Sequence, residues 1–410
     1  MSAKKTLHIL LIHQAFVSLN EAGGTRHAEL ARHLVTQGHR VSVIASPISY
    51  LTGKEQKANG ADAVEGLTIL RARSYRGLHR SFVHRMLNFF TFTLSAFFIG
   101  LRVRDVDLVW GSSPPIFQAF SAWLLARLKG AAFLFEVRDL WPAFAVAVGV
   151  LRNPLLISAS QWLERFLYRR ADQIVINSPG FREHIAAHGG QHIELLPNGA
   201  DASMFNPQAK GEAFRRAHKL QDKFIVIYAG AHGLSNDLGI VLQTAALLGE
   251  QPEIAILLLG DGKDKPALVQ QAHDKELKNL HFLDPLPKAD MAEALAAADA
   301  CLAILKPIDL YATVYPNKVF DYMAAGRPVL LAIDGVARKV IEEADAGVFV
   351  PPGDPVALAA AIQKMASDPH KAARMGLAGR AHLETHFNRP DLAHNLEKLI
   401  IRLTTPKADR

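Results

Sequence analysis

The feature of this sequence that most limits its fold is the alternation of short apolar strands with helical patterns. Segments such as Leu7–Ile12 and Phe224–Ala229 are apolar at nearly every position, and helical patterns such as Arg26–Thr36 separate them. A strand that is apolar on both faces has to be covered on both faces. Strands that alternate with helices therefore predict parallel sheets with helices on both sides, the doubly wound α/β class.

This pattern runs through the chain twice. One strand–helix series ends near Leu196, residues 197–222 interrupt it, and a second series begins at Phe224. A chain of 410 residues also exceeds what one ordinary hydrophobic core organises, so two domains are expected. We predict two successive Rossmann-like domains that face each other across a cleft.

Composition and charge narrow the function classes. Cys301 is the single cysteine, which excludes an intrachain disulfide, and no Cys/His pairs have zinc spacing. The apolar run Leu7–Ile12 is too short for a signal peptide, so a cytoplasmic location is expected. The net charge of +7 fits nucleic acid, an anionic membrane surface or phosphorylated substrates. Nucleic acid ranks lowest because the basic residues are dispersed, without an aromatic-interleaved stripe.

One apolar segment, Met86–Leu101, has three open interpretations. It carries no charge, is rich in aromatic residues and is flanked by Arg80, Arg85, Arg102 and Arg104. It is a buried helix of the first domain, a helix lying at a membrane interface with its arginines on acidic headgroups, or a spanning helix. Spanning is the weakest interpretation, because a bilayer needs about 20 apolar residues and polar residues interrupt this shorter run.

Ligands of doubly wound domains bind where strand ends meet helix N-termini, because free backbone N–H groups favour anions there. In the first half this rule selects two loops. Gly23 and Gly24, with Arg26 opening a helix, would let a phosphate approach the backbone, although a plain turn fits equally well. Arg138 and Asp139 follow an apolar strand, and Asp139 is a candidate to accept a hydrogen bond from a sugar hydroxyl. A structural ion pair of Arg138 is the alternative.

In the second half the same rule selects small residues after two adjacent strands. They leave room for a diphosphate, which a histidine among them could contact. The candidates are Gly230, His232 and Asn236 after the first strand, and Gly260, Asp261 and Gly262 after the second. Asn198, at the junction of the two halves, is a further candidate, but its Asn-Gly pair is also typical of an ordinary turn.

The last selected loop opens a helix. Pro316 ends the preceding segment, and Asn317 is predicted as the helix N-cap. Lys318 could meet phosphate oxygens, whereas the spacing predicts that Val319 faces the core. Asp321, one turn later, could bind both hydroxyls of a ribose, or it is a solvated acid stabilised by the helix dipole.

These loops give the chain its resemblance to a known family. The matching stretches, in order, are GGTRHAELARHL, EVRDLWP, INSPGFREHI, PNGAD, LLLGDG, YPNKVFDYMAAGRPVL and GVFVPPGDP. The chain resembles family 4 glycosyltransferases of the GT-B fold, and within them bacterial O-antigen and capsule enzymes of the N-acetylfucosaminyltransferase type. The resemblance implies an acceptor-side domain over residues 1–200, with 390–410 packing back on it, and a nucleotide-sugar domain over 201–389. It also implies retaining transfer from a UDP-linked sugar without a bound metal.

The resemblance assigns roles to single residues. Gly23 and Gly24 match the loop that closes on the diphosphate, and Asp139 matches an acceptor-side polar position. Asp321 matches the second acid of the family's Glu-x7-Glu motif, which holds the ribose. Thr313 stands where the first acid would be.

The family's usual Arg and Lys after the first strand of the second domain are also missing, since they align with residues 231–236. The predicted substitutes on the diphosphate are Lys318, His232 and Arg26, assisted by the backbone N–H groups of Asn317 and Lys318. Together with Arg138 and Asp139 on the acceptor side, Lys318 is a predicted catalytic residue.

The expected function is transfer of a sugar to an undecaprenyl-diphosphate-linked saccharide in surface polysaccharide biosynthesis, with the enzyme peripheral on the inner face of the cytoplasmic membrane. A soluble small-molecule acceptor is an alternative within the transferases. A UDP-sugar 2-epimerase of the same fold would need acidic groups in the cleft, which Thr313 disfavours. An inactive sugar-nucleotide-binding partner is the remaining rival, and the incomplete motif is its support.

Overall fold

The computed structural model describes residues 6–50, 52–53, 55, 65–77 and 80–405. The chain divides into two compact units. The first unit comprises Met1–Ser18, Gly24–Pro197 and Pro390–Arg410, and the second comprises Leu19–Gly23 and Asn198–Arg389. Each unit contains one parallel sheet with helices, which confirms the doubly wound α/β class predicted from the alternation.

The first unit is built on a seven-stranded sheet. Its strands are β1 (His8–Ile12), β2 (Arg40–Ala45), β3 (Leu67–Arg71), β4 (Leu108–Ser113), β5 (Ala132–Val137), β6 (Gln173–Ile176) and β7 (Ile193–Leu195). Their order is β3-β2-β1-β4-β5-β6-β7, and every pair is parallel. Its helices are α1 (Arg26–Thr36), α2 (Phe82–Arg102), α3 (Ile116–Lys129), α4 (Ala143–Ala147), α5 (Pro154–Arg170) and α6 (Arg182–Ala187).

The second unit is built on a six-stranded sheet. Its strands are β8 (Phe224–Ala229), β9 (Ile254–Leu259), β10 (Leu280–Leu283), β11 (Ala300–Ile304), β12 (Val329–Ala332) and β13 (Gly347–Phe349), in the order β10-β9-β8-β11-β12-β13. Its helices are α7 (Glu212–Ala217), α8 (Leu238–Leu247), α9 (Lys265–Asp274), α10 (Lys288–Ala296), α11 (Asn317–Ala324), α12 (Val336–Glu343), α13 (Pro355–Ser367) and α14 (Pro369–His386). The last helix, α15 (Arg389–Thr404), takes the chain back into the first unit.

Burial follows from this layering. Every residue of β1, β4, β9 and β11 is buried, because each of these central strands is covered on both faces. The edge strands β3 and β13 are only half-buried. The continuous apolar runs therefore mark the sheet centres.

Local sequence signals fix several helix starts. The Asn153 side chain accepts hydrogen bonds from the backbone N–H groups of Leu155 and Leu156, at 3.0 and 3.2 Å. Asp354 caps α13 in the same way, and a proline follows each cap at the first helical position. A proline there loses no intrahelical bond, so the cap and the proline together set where the helix begins.

Helix α2 contains the apolar segment that the sequence left open. One side of it is buried, with Phe92 and Ala96 fully inaccessible and Phe89 7% exposed. The other side presents large apolar side chains to solvent at helical spacing, namely Val83, Leu87, Phe90, Leu94, Phe98 and Leu101. The helix is thus not fully buried, and its exposed side is apolar. Among the helices of the described residues, none has the length and hydropathy to cross a membrane.

A buried carboxylate organises the carboxyl end of the first sheet. Glu136, the fifth residue of β5, has no solvent exposure. It accepts hydrogen bonds from Arg26 Nε at 3.1 Å, His27 Nε2 at 2.6 Å and Trp110 Nε1 at 3.2 Å. Burial by itself would raise the pKa of Glu136, but His27 and Arg26 lower it well below its usual value. The carboxylate is therefore ionised and joins α1, β4 and β5.

Candidate functional site

Three loops of the second unit meet at the carboxyl end of its sheet. Strand β8 lies between β9 and β11, so the chain first runs outward through β9 and β10 and then resumes on the other side at β11. Where the strand order reverses, the connections leave on opposite faces, and ligands of doubly wound sheets bind in the crevice between them. The loops after β8 and β9 and the start of α11 lie at this position.

The loops after β8 and β9 pack backbone against backbone, which requires glycine at two positions. Gly260 has φ +150° and Gly262 has φ +158°. A Cβ atom at Gly260 would lie 1.8 Å from the carbonyl oxygen of Gly230, and one at Gly262 would lie 2.4 Å from that of His232. The His232 N–H donates to the Asp261 carbonyl at 2.8 Å. The predicted small residues are thus brought together at one place.

Lys318, the second residue of α11, directs a buried amine at this loop. Its Nζ lies 3.8 Å from the centroid of the Tyr228 ring, and a Cβ atom at Gly230 would lie 2.8 Å from it. Among the described residues, Nζ has no hydrogen-bond partner. Burial lowers the pKa of Lys318 to about 7. An anion over Gly230 would meet this amine and the amino-terminal end of α11 together.

His232 lies beside Lys318 with no solvent exposure. Burial, reinforced by Lys265 and Lys318, lowers the pKa of His232 to about 4, so its ring is neutral at neutral pH. A neutral imidazole has one N–H donor and one acceptor nitrogen. Neither ring nitrogen has a hydrogen-bond partner within the described part of the chain. The ring therefore has one N–H donor that no described residue accepts, and its contact with a ligand stays a prediction.

Asp321 forms an ion pair that sequence reasoning missed. Its Oδ1 lies 2.5 Å from Nζ of Lys288, the first residue of α10, and its Oδ2 accepts from Asn317 Nδ2 at 3.3 Å. Both side chains of the ion pair are largely buried. Asp321 is thus not the solvated first-turn acid that the sequence also allowed. Its carboxylate is held in one orientation, one turn after Lys318.

The predicted helix cap at Asn317 is wrong. Pro316 occupies the cap position, and the Asn317 side chain makes no cap hydrogen bond. The Asn317 Oδ1 atom instead accepts from Arg389 Nη2 at 3.2 Å, and Arg389 also donates to the carbonyl of Gly199. Asn198 Nδ2 donates to the Tyr315 carbonyl at 2.7 Å. Asn198 therefore holds the segment that precedes α11.

Three other residues that the sequence singled out make local structural contacts. Val319 is 1% exposed, which confirms that its side chain faces the core. The Asn236 N–H donates to the Gly233 carbonyl at 2.9 Å in a short 3-10 turn. Thr313, at the position of the missing acid, donates from Oγ1 to the Leu310 carbonyl at 2.6 Å.

In the first unit the strand order reverses between β1 and β4, and Arg138 and Asp139 lie beside this point, after β5. Arg138 Nε donates to Ser112 Oγ at 3.1 Å, and Nη2 donates to the Pro114 carbonyl at 3.3 Å. Burial raises the pKa of Asp139 to about 7, although Arg138 acts in the opposite direction. A carboxyl group that titrates near neutrality can accept or release a proton under working conditions.

The structure gives Arg26 a different role from the predicted one. Its guanidinium is buried and donates to Glu136, to the Pro197 carbonyl at 2.7 Å and to the Leu196 carbonyl at 2.8 Å. The predicted contact of Arg26 with the diphosphate is therefore withdrawn, because its donors bind Glu136 and two backbone carbonyls of the first unit. Gly23 has φ +144° and belongs to the second unit, and Gly24, which belongs to the first, has open space where a Cβ would lie.

Three lysine or arginine residues of this region escaped sequence reasoning. Lys288 pairs with Asp321, and Arg389 holds the loop before α11. Lys265 donates to the Gly260 carbonyl at 2.9 Å and lies near His232. Lys288 and Arg389 lie 33 and 72 residues from their partners, whereas Lys265 lies five residues from Gly260. Only the position of Lys265 at the start of a helix was a usable signal.

Comparison with known protein families gives two matches. The description "Glycosyl transferase 4-like domain" fits residues 22–199, and "Glycosyl transferases group 1" fits residues 223–368. The first match contains β2 to β7 and the second contains β8 to β13.

Individual proteins agree with these matches. A protein of Escherichia coli (strain K12) named as the colanic acid biosynthesis glycosyl transferase WcaI is 26% identical over 74% of this chain and 77% of its own. Sucrose-phosphate synthase from Thermosynechococcus elongatus superposes with a TM-score of 0.76 at 19% identity, over 97% of this chain and 99% of its own. Anabaena HepE in complex with UDP and glucose superposes with a TM-score of 0.71 at 16% identity, over 97% of this chain and 100% of its own.

We expect Gly262→Ala to lower the free energy of unfolding of the second unit by about 1–3 kcal/mol, the cost of forcing a side chain into a sparsely populated backbone region. The added methyl group would lie 2.4 Å from the His232 carbonyl oxygen. Urea unfolding measures the change. The matched control is Gly239→Ala in α8, where the Cβ meets nothing within 4 Å and helix propensity predicts a gain of up to about 1 kcal/mol. Equal effects at the two sites would contradict the packing described here.

Proposed function

Since the chain belongs to the family 4 glycosyltransferases of the GT-B fold, we propose that it transfers a sugar from a UDP-linked donor, with retention, to a lipid-linked saccharide. The observation that carries the proposal is the amine of Lys318, buried beside the Gly230 loop at the start of α11. In the proposed complex this amine contacts the donor's diphosphate, and the carboxylate of Asp321, three residues later on α11, binds the ribose. The UDP complex of HepE supports uracil as the base.

The donor site works by stabilising charge. When the bond between the sugar's anomeric carbon and the diphosphate breaks, negative charge develops on the diphosphate oxygens. Preorganised donors directed at developing charge are the largest contribution to catalysis in many enzymes. Lys318, the His232 N–H and the backbone N–H groups at the start of α11 are these donors here. They replace the arginine and lysine that the family usually carries.

Asp321 binds the ribose hydroxyls in this scheme. Its carboxylate is oriented by Lys288 and Asn317, so a ligand hydroxyl meets an acceptor that is already in place. Contacts that fix a ligand-binding group in advance reduce the conformational entropy lost on binding. Lys288 is a positioning residue in this scheme, because it acts through Asp321.

The acceptor side lies in the first unit. Asp139 accepts the hydrogen bond of the attacking hydroxyl, and Arg138 keeps the loop after β5 fixed through Ser112 and Pro114. A lipid-linked acceptor is supported by the exposed apolar side of α2, whose flanking Arg102 and Arg104 would bind anionic headgroups. The enzyme would act as a peripheral protein at the cytoplasmic face, without a bound metal in the transfer step.

A transfer assay tests the proposal. Radiolabel from a UDP-sugar should enter the lipid fraction, and kcat at saturating donor should rise as the pH passes through about 7, because the ionised form of Asp139 accepts the hydroxyl's hydrogen bond. Under these conditions the bound diphosphate keeps Lys318 protonated, so the titration of Asp139 is seen alone. Asp139→Asn should remove that rise and lower kcat about a hundredfold or more, whereas the exposed Asp105→Asn should change neither.

Other outcomes of this assay identify the rivals. A changed sugar without transfer indicates an epimerase. UDP binding without turnover of the donor indicates an inactive partner, and label in a water-soluble product indicates a soluble acceptor.

Lys318 gives donor binding a distinct pH dependence. A bound diphosphate favours the ammonium form and raises its pKa above the free value of about 7. UDP affinity should therefore fall as the pH rises above 7, and binding at pH 8 should take up about one proton. Calorimetry in two buffers of different ionisation enthalpy measures this uptake. Lys318→Met should abolish it and weaken binding, while Lys364→Met, exposed on α13, should keep it; equal uptake by wild type and Lys318→Met overturns the assignment.

The exposed side of α2 should bind anionic vesicles. Replacing Leu94 and Phe98 by glutamate should reduce co-sedimentation with phosphatidylglycerol vesicles by roughly tenfold or more, because each buried apolar side chain contributes about 1.5–3 kcal/mol. The control is Val356→Glu, an equally exposed apolar position of the second unit. If the double variant sediments like the wild type, the acceptor is reached in another way.

A further inference from the structure

Three histidines and a glutamate converge between the first and the last helix of the first unit. His33 lies in the last turn of α1, and His39 lies between α1 and β2. His394 and Glu397 lie three residues apart on α15, so they share one face of that helix. We refer to these four residues as the His/Glu cluster. None of them belongs to the site described above.

The distances around Glu397 are those between ligands of one metal ion. Its Oε2 lies 3.5 Å from His33 Nε2 and 3.5 Å from His394 Nδ1. The coordinating atoms of these three residues all lie within 4.8 Å of one another. A tetrahedral zinc ion with bonds of about 2.0–2.1 Å keeps its ligands roughly 3.3–3.4 Å apart. The three side chains are therefore spaced to share a cation.

His39 has a different role in the cluster, which follows from its hydrogen bonds. The backbone N–H of Leu7 donates to His39 Nδ1 at 3.2 Å, so Nδ1 carries no proton. The neutral ring then carries its proton on Nε2, which points at Glu397 Oε1 from 3.4 Å. A ring in this tautomer cannot bind a metal through Nε2. It can orient the carboxylate, as outer partners of metal-binding carboxylates do.

A second His/Glu group in the same unit provides a contrast. Glu164 Oε1 lies 2.9 Å from His184 Nε2 and 3.1 Å from the Tyr168 hydroxyl, which are ordinary hydrogen-bond distances. His188 Nδ1 is 2.7 Å from the backbone carbonyl of His184. In that group the carboxylate contacts its partners directly, whereas Glu397 lies 3.5 Å from both His33 and His394, the separation of two ligands on one ion.

We propose that His33, His394 and Glu397 bind a zinc ion that fastens α15 to α1. Two imidazoles and one carboxylate suit zinc, and hard cations such as Mg²⁺ prefer oxygen ligands. Glu397 is buried while His394 is 54% exposed at its side chain, so the ion can enter from solvent and water can complete its coordination. The site is separate from the sugar-transfer chemistry and does not depend on the proposed function.

Zinc binding to the untagged full-length chain tests the proposal. After treatment with EDTA, added Zn²⁺ should raise the melting temperature in proportion to the logarithm of its free concentration above Kd, since it binds only the folded state. Mg²⁺ at the same concentration should have no effect. Equilibrium dialysis should show one more zinc ion on the wild type than on His394→Ala. Replacing Zn²⁺ by Co²⁺ should give the visible absorption of a nitrogen- and oxygen-bound ion.

Matched variants separate the site from chance binding to other histidines. His33→Ala and His394→Ala should remove the zinc-dependent rise, and His394→Ala should leave the metal-free melting temperature unchanged because that side chain is half exposed. His39→Gln should weaken zinc binding by roughly 10–100-fold while one ion still binds. His188→Ala should bind zinc as the wild type does. The proposal is overturned if zinc has no effect on the wild type, or if His394→Ala keeps the rise.

Discussion

The buried carboxylate of Glu136 is the interaction on which the first unit depends. An ionised group without solvent exposure is stable only when its charge and lone pairs are matched. Arg26, His27 and Trp110 match them, and they come from two different elements, α1 and β4. Arg26 then extends the link to the carbonyls at 196 and 197, where the first unit ends. The carboxyl end of the sheet, where Arg138 and Asp139 lie, is built around this one charge.

The second unit uses the opposite arrangement. Lys318 is buried against an aromatic ring without a counter-charge in hydrogen-bond reach among the described residues, and its pKa falls accordingly. The glycines at 260 and 262 bring the loops close enough to enclose it. The folded chain tolerates this desolvation, and an anion placed beside Nζ would compensate for it. A preorganised charge of this kind stabilises an opposing charge without further rearrangement.

The sequence indicated most residues of the candidate site but not the side chains that hold them in place. Asp321, Lys318 and the small residues after β8 and β9 could be predicted because they sit at strand ends and helix starts, which local patterns reveal. The partner of Asp321 could not, since Lys288 lies 33 residues away and only the tertiary structure brings the start of α10 to the Asp321 side chain. The same limit explains the error on Arg26. An arginine that opens a helix at a glycine-rich loop is typical of a phosphate site, and nothing local shows that a buried Glu136 lies behind it.

By itself, the sequence determined the fold class, the two sheets and the strand ends that are candidates for ligand binding, because strand and helix periodicity is a local property of the chain. The tertiary structure decided which charged groups are available. Arg26 is bound to a carboxylate 110 residues away, and Lys318 has no hydrogen-bonded carboxylate among the residues that the structure describes. His33 meets Glu397 only because α15 returns to the first unit. Charge pairing depends on distances of a few ångströms between remote residues, and those distances exist only once both sheets and their helices have packed.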